Sequence, residues 1–148
     1  MINNFEQFLT YNNIYLIANW GVIPFWLMIV VIPQHSLTKF FVHSIIAPLL
    51  LATAYIFIGY KIFLEKVFLE PFNLYLGIDE LYSVFSNESF LLIFWLHFLS
   101  LSLFVGSWIS RDSVKYFIPK FLTFFFLITT YFTGLILVVF FWFICFFY

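Results

Sequence analysis

The chain has 148 residues, of which 65% are hydrophobic and 9% charged, and its formal net charge is −1. A soluble domain carries about 25% charged residues, so this composition excludes a water-soluble monomer, which would have too few polar groups to cover its surface. The near-neutral balance gives no reason to expect nucleic acid as a partner, and a single cysteine, Cys145, excludes a disulfide framework or a cysteine-based metal site.

The charges leave four stretches empty: 7–38, 40–60, 89–110 and 121–148, holding 32, 21, 22 and 28 residues. About 20 apolar residues cross the hydrocarbon core as a helix. Apolar residues run continuously instead of alternating, which selects helices over a barrel. The expected fold is all-α: one domain over 1–148, a polytopic membrane protein with four transmembrane helices near 14–32, 42–62, 89–110 and 119–145, and a short amphipathic interfacial helix near 73–86.

In chain order, Met1–Asn13 is polar, with Ile2, Phe5, Phe8 and Leu9 spaced to lie on an interface. No Lys or Arg precedes Lys39, so the basic leader of a signal peptide is missing. Asn19 sits inside the first span and needs a hydrogen-bond partner there; that span ends at Pro33. Lys39 and His43 stand four apart, on one face of the second span's start. With Arg111 they are candidates for holding an anion or lipid headgroup, although interfacial snorkelling is the commoner reason for such residues. Pro48 should kink the second span or mark its first turns. Between Phe63 and Glu88, Leu74, Ile78, Leu81 and Phe85 share one helical face, which suits a helix lying on the membrane surface.

Asn87-Glu88-Ser89 is a capped start for the third span. There His97, Ser100, Ser107 and Arg111 fall within roughly 80° of one another, one polar stripe from mid-membrane to the edge. Ser102 and Gly106 form a small-xxx-small pair suited to close helix packing. An ionisable group inside the bilayer should face the bundle interior, so His97 leads the site candidates: its imidazole can pass a proton near neutral pH. A neutral histidine serving only helix packing is the plainer alternative. Arg111 and Asp112 end the span, as a solvated pair or at the mouth of a cavity. The last span carries Gly134 as a bend or packing point. His35, His43 and His97 show no zinc-ligand spacing, and no metal or other cofactor is expected. Lys39, Arg111, Lys115 and Lys120 on one side oppose Lys61 and Lys66 on the other, which favours both termini on the non-cytoplasmic side. The 25 phenylalanines suit either an aromatic-lined pocket or a lipid-facing surface, the second being the more ordinary reading.

Asn19-Trp20-Gly21-Val22-Ile23-Pro24-Phe25-Trp26, then Pro33, Thr38 and Tyr55, resemble the first half of the neoxanthin-synthase-like family, named after the plant abscisic-acid-deficient-four protein. A more specific block is Trp95-Leu96-His97-Phe98-Leu99, followed by Leu103-Phe104-Val105-Gly106, Trp108-Ile109, Asp112 and Ile118-Pro119. The resemblance spans roughly residues 19–140. It implies a membrane protein whose plant relatives convert violaxanthin to neoxanthin, an isomerisation that opens an epoxide and leaves an allene. It further implies His97 and Asp112 as catalytic candidates, with Trp95 and Trp108 shaping a ligand pocket; Ser100, Phe104, Asn19 and Trp26 are further candidates for its lining. The chain departs from the family pattern at Ser102, where the family has aspartate, at Ser107, where it has arginine, and at Tyr131-Phe132, where it has glycine-proline.

Two functions are carried forward. One is a protein that binds or isomerises a carotenoid or other isoprenoid lipid, with membrane lipids as its surroundings. The other is a non-catalytic hydrophobic subunit of a larger membrane complex, partnered by other membrane subunits or by copies of itself. Either belongs in a bacterial inner membrane or an organelle membrane, crossing it several times.

Overall fold

The computed structural model describes residues 10–44, 46–64, 75–133 and 138–147. The described residues fold into helices: α1 (Tyr11–Val31), a one-turn stub α2 (Ser36–Thr38) running into a π-helical segment (Lys39–His43), α3 (Ile46–Leu64), α4 (Ile78–Phe85), α5 (Glu88–Lys115), α6 (Lys120–Thr133) and α7 (Val138–Phe147).

Local chemistry sets the helix ends. The Thr10 hydroxyl accepts the Asn13 N–H at 3.3 Å and starts α1. His35 Nδ1 accepts the Leu37 N–H at 3.2 Å and starts α2. The Asn87 side chain accepts the Ser89 N–H at 3.0 Å, and Glu88 places its negative charge in the first turn of α5, the capped start read from the sequence. Pro48 falls in the first turn of α3, where its missing N–H breaks no helical bond.

α5 is the hub: α1, the π-helical segment, α3, α4, α6 and α7 all pack on it. α1 presents one stripe to it, Ile14, Ala18, Val22, Trp26 and Ile29. α5 buries Leu92, Leu96, Leu99, Leu103 and Ile109 together with Ser102, Gly106, Ser107, Ser110 and Ser113. The predicted small-residue stripe is thus an interface. Trp26 lies so close over Gly106 that a Cβ there would stand 2.6 Å from its ring.

Among the described residues the buried polar side chains are hydroxyls, while Trp20 is 71% and Phe121 83% exposed. Each large apolar side chain left in water costs about 1.5–3 kcal/mol, so a hydrocarbon surrounding matches this exterior. Two helices, α1 and α5, are long and apolar enough to cross a membrane. The second predicted span is α3, whose apolar stretch is the shorter Leu49–Tyr60. The fourth is described as two helical pieces, α6 and α7, with residues 134–137 between them outside the described residues. By length and composition the structure supports two crossings; the other two rest on the sequence pattern. The second span also begins later than expected, at Ile46, which leaves Val42 and His43 in the connecting segment. The interfacial helix is shorter than 73–86: it is Ile78–Phe85, and Leu74 lies outside the described residues, as do Met1–Leu9 and Gly134.

Candidate functional site

The predicted site residues separate into distinct places on α1, α5 and the π-helical segment. His97 is exposed on α5 instead of facing the bundle interior, with its ring 5.8 Å from that of Tyr55 on α3. The buried seam of α5 is filled by leucines and small residues, which excludes the imidazole from it. The expected polar stripe is therefore divided. Ser107 is buried and donates to the Val42 carbonyl at 3.4 Å, Ser100 is half-buried, and Arg111 is exposed.

Asn19 finds its partner. Its side-chain oxygen accepts from Trp95 Nε1 at 3.1 Å, while its amide donates to the Tyr15 carbonyl at 2.8 Å. Trp95 also stacks on Phe98 at 5.5 Å. This is an interhelical polar clamp between α1 and α5, and Asn19 and Trp95 are committed to each other. Trp26 is 6% exposed and packs edge-on against Tyr131 at 5.3 Å. Its indole N–H meets no partner among the described residues.

Asp112 is half-buried at the mouth of a cleft of about 280 Å³ between the ends of α5 and α7. Trp108, Tyr116, Phe141, Trp142, Cys145 and Phe146 form its walls. Cys145 thereby joins the carboxylate's surroundings. No sequence spacing could have signalled this, since α5 and α7 meet only in the fold.

Lys39, His43 and Arg111 do come together, the first two from the π-helical segment and the third from the end of α5. Burial, then the positive charges of Arg111 and Lys39, push the His43 imidazole below its ordinary range. His43 Nε2 is buried without a partner among the described residues. No group of three or more His, Cys, Asp or Glu that could hold a metal occurs among the described residues.

His97 and Asp112 lie 15 positions apart on the unbroken helix α5, about 22 Å along its axis, so they cannot act on one bond. They nevertheless differ by only about 60° in direction. Leu101, Phe104 and Trp108 fall between them at helical spacing. His97, Leu101 and Phe104 are exposed, and Trp108 and Asp112 half-buried. The result is an apolar, partly aromatic strip with an imidazole at one end and a carboxylate at the other.

A family model described as ABA DEFICIENT 4-like matches residues 13–147. The chain belongs to this family. Searches of curated proteins and of solved structures find no match. Membership in the ABA DEFICIENT 4-like family, with the helical fold and its two membrane-length helices, identifies a membrane protein of a carotenoid-related family. The matched segment includes every site candidate named above.

Proposed function

We propose that the protein holds a long isoprenoid, a carotenoid or a close chemical relative, along the α5 strip from His97 to Asp112, with a polar end group in the cleft at Asp112. The observation that carries this is the strip itself. It is an outward-facing row of apolar and aromatic side chains about 22 Å long, ending in a carboxylate walled by Trp108, Tyr116, Phe141 and Trp142. A rod-shaped polyene matches the row; an oxygenated end ring matches the cleft, where aromatic walls give contact area and the carboxylate accepts hydrogen bonds.

The chemistry this placement allows is isomerisation at the end group. Asp112, as carboxylate, removes a proton from the polyene carbon next to an epoxide-bearing ring. The freed electron pair becomes a carbon–carbon double bond as the epoxide C–O bond breaks, and the oxygen takes up a proton. No atom is gained or lost, so no redox cofactor is needed. His97, a full strip length away, touches the chain of the ligand and not the reacting end. It is assigned to binding, with the Tyr55 ring beside it.

The test is to express the full chain in membranes that make carotenoids, purify it, and extract what accompanies it. Wild type should retain pigment above a control membrane protein. Phe104→Ala with Trp108→Ala should release it. Asp112→Asn should retain pigment but abolish any change in the pigment profile of the cells. Absence of bound pigment together with an unchanged profile, at normal protein levels, overturns the proposal and leaves the non-catalytic subunit.

A further inference from the structure

A second groove runs along the opposite side of α5, between α1 and α6. Its upper part is an apolar cavity of about 360 Å³ lined by Trp26, Leu27, Val30, Phe124, Leu127 and Tyr131 among others. Its lower part, about 790 Å³, opens at the end of the bundle between Pro33–His35 and Phe117–Lys120. Val30, Phe124 and Leu127 line both, so the two adjoin end to end along the groove, hereafter the channel. Lys120 and Tyr131 stand 11 positions apart on α6, about 17 Å of helix.

The two ends differ in chemistry. The inner end is lined almost wholly by apolar groups. The mouth carries Lys120, Gln34, His35 and the first turn of α6, whose leading N–H groups have no helical acceptor. His35 Nδ1 already accepts from Leu37 N–H, which leaves Nε2 to carry the proton and donate. Ser110 is 1% exposed and lines this mouth, yet its hydroxyl meets no partner among the described residues. A buried hydroxyl without a partner is unfavourable, and an oxygen-rich headgroup at the mouth would relieve it. Charge points the same way. Among the described residues this end of the bundle carries Lys39, Arg111, Lys115 and Lys120 against Asp112 alone, and the other end carries Asp79, Glu80 and Glu88 against Lys61.

We infer that this channel is a binding site for one anionic phospholipid of the surrounding bilayer. Its phosphate sits at Lys120, His35 and Ser110, and one acyl chain lies between α1 and α6 as far as Trp26 and Tyr131. The site is separate from the α5 strip and stands whether or not an isoprenoid binds there.

The test uses the full chain in lipid nanodiscs containing phosphatidylglycerol or phosphatidylcholine with the same photoactivatable acyl chain, followed by peptide mapping. Phosphatidylglycerol should label the peptides bearing Trp26–Val30 and Phe124–Tyr131, and phosphatidylcholine only weakly. Lys120→Glu should lower that labelling roughly fivefold or more, the factor one basic group near an anionic surface contributes, and Lys120→Arg should preserve it. Val30→Trp, which fills the channel, should abolish acyl labelling whatever happens to the headgroup. Excess unlabelled phosphatidylglycerol should compete and inorganic phosphate should not. Equal labelling by both lipids, labelling spread evenly over the outward faces of α1 and α3, or competition by inorganic phosphate alone overturns the inference. Carotenoid retention by Lys120→Glu is measured in parallel and should be unchanged, which keeps failure here distinct from failure of the α5 strip.

Discussion

A methyl group on Gly106 would stand 2.6 Å from Cη2 and 2.9 Å from Cζ3 of Trp26, a rigid ring that cannot bend away. Gly106→Ala should therefore destabilise the bundle by about 1–3 kcal/mol, the usual cost of overpacking. Gly106→Ala with Trp26→Phe should regain part of that loss, because the clashing ring atoms are gone. Denaturant titration in micelles measures both; additive losses would show that the contact does not govern stability. The spacing of Ser102 and Gly106 announced a close interface, but its partner was not legible, since any large side chain on another helix would satisfy the pattern. His43 gives a second residue-scale prediction. Its imidazole is held below the ordinary range, so the unfolded chain binds that proton more readily and stability rises with pH. The contribution is present above about pH 6.5 and is lost as pH falls from there through the folded value. His43→Asn should flatten the fall in melting temperature between pH 7.5 and 5.5; an unchanged slope would assign the fall to another group.

At the scale of elements, the end of α5 shows how a local rule is broken. Phe117 has φ 56°, the left-handed conformation that favours glycine. The Ile118 N–H bonds the Ser113 carbonyl at 2.8 Å and the Phe117 N–H bonds Val114 at 3.4 Å, the two bonds of a Schellman end, with Ile118 buried beneath. A phenylalanine there costs about 1–2 kcal/mol relative to glycine, while its side chain is 89% exposed and recovers little by packing on the protein. Phe117→Gly should raise stability by about 1 kcal/mol in the same titration, and a decrease would mean the ring is anchored after all. The end of α5 was readable only as a charged boundary, Arg111 to Lys120, because the usual glycine signal is missing. Its beginning was plain, since Asn87 and Glu88 cap and charge the first turn in the ordinary way. The interfacial helix was legible from its face but drawn too long, because apolar spacing alone does not say where a short helix starts.

Across the whole molecule, charge-free intervals located the apolar helices well, because burying charge in hydrocarbon is costly enough to leave gaps in any sequence. They could not say which faces meet. His97 was expected inside and lies outside, because leucines, glycine and serines allow closer approach to α5 than an imidazole does. Nor could they show that Asp112 and Cys145 share a cleft. The asymmetry of charge carries the prediction at this scale. With Cys145→Ser as background, Ser36→Cys and Ser83→Cys, both exposed, should react with a membrane-impermeant thiol reagent from opposite sides of sealed vesicles. Ser36 lies at the basic end and is expected to face the cytoplasm. Labelling of both from one side would mean that α3, the helix between them, does not cross.

The hub position of α5 also bears on biogenesis. α1 and α3 leave the ribosome before α5 does, and they touch each other far less than each touches α5. Until residue 88 and its followers arrive, the two early helices have little to hold them together except lipid. A chain arrested before α5 is thus a pair of loosely associated segments with open flanks, the form that insertion chaperones shield and membrane proteases remove.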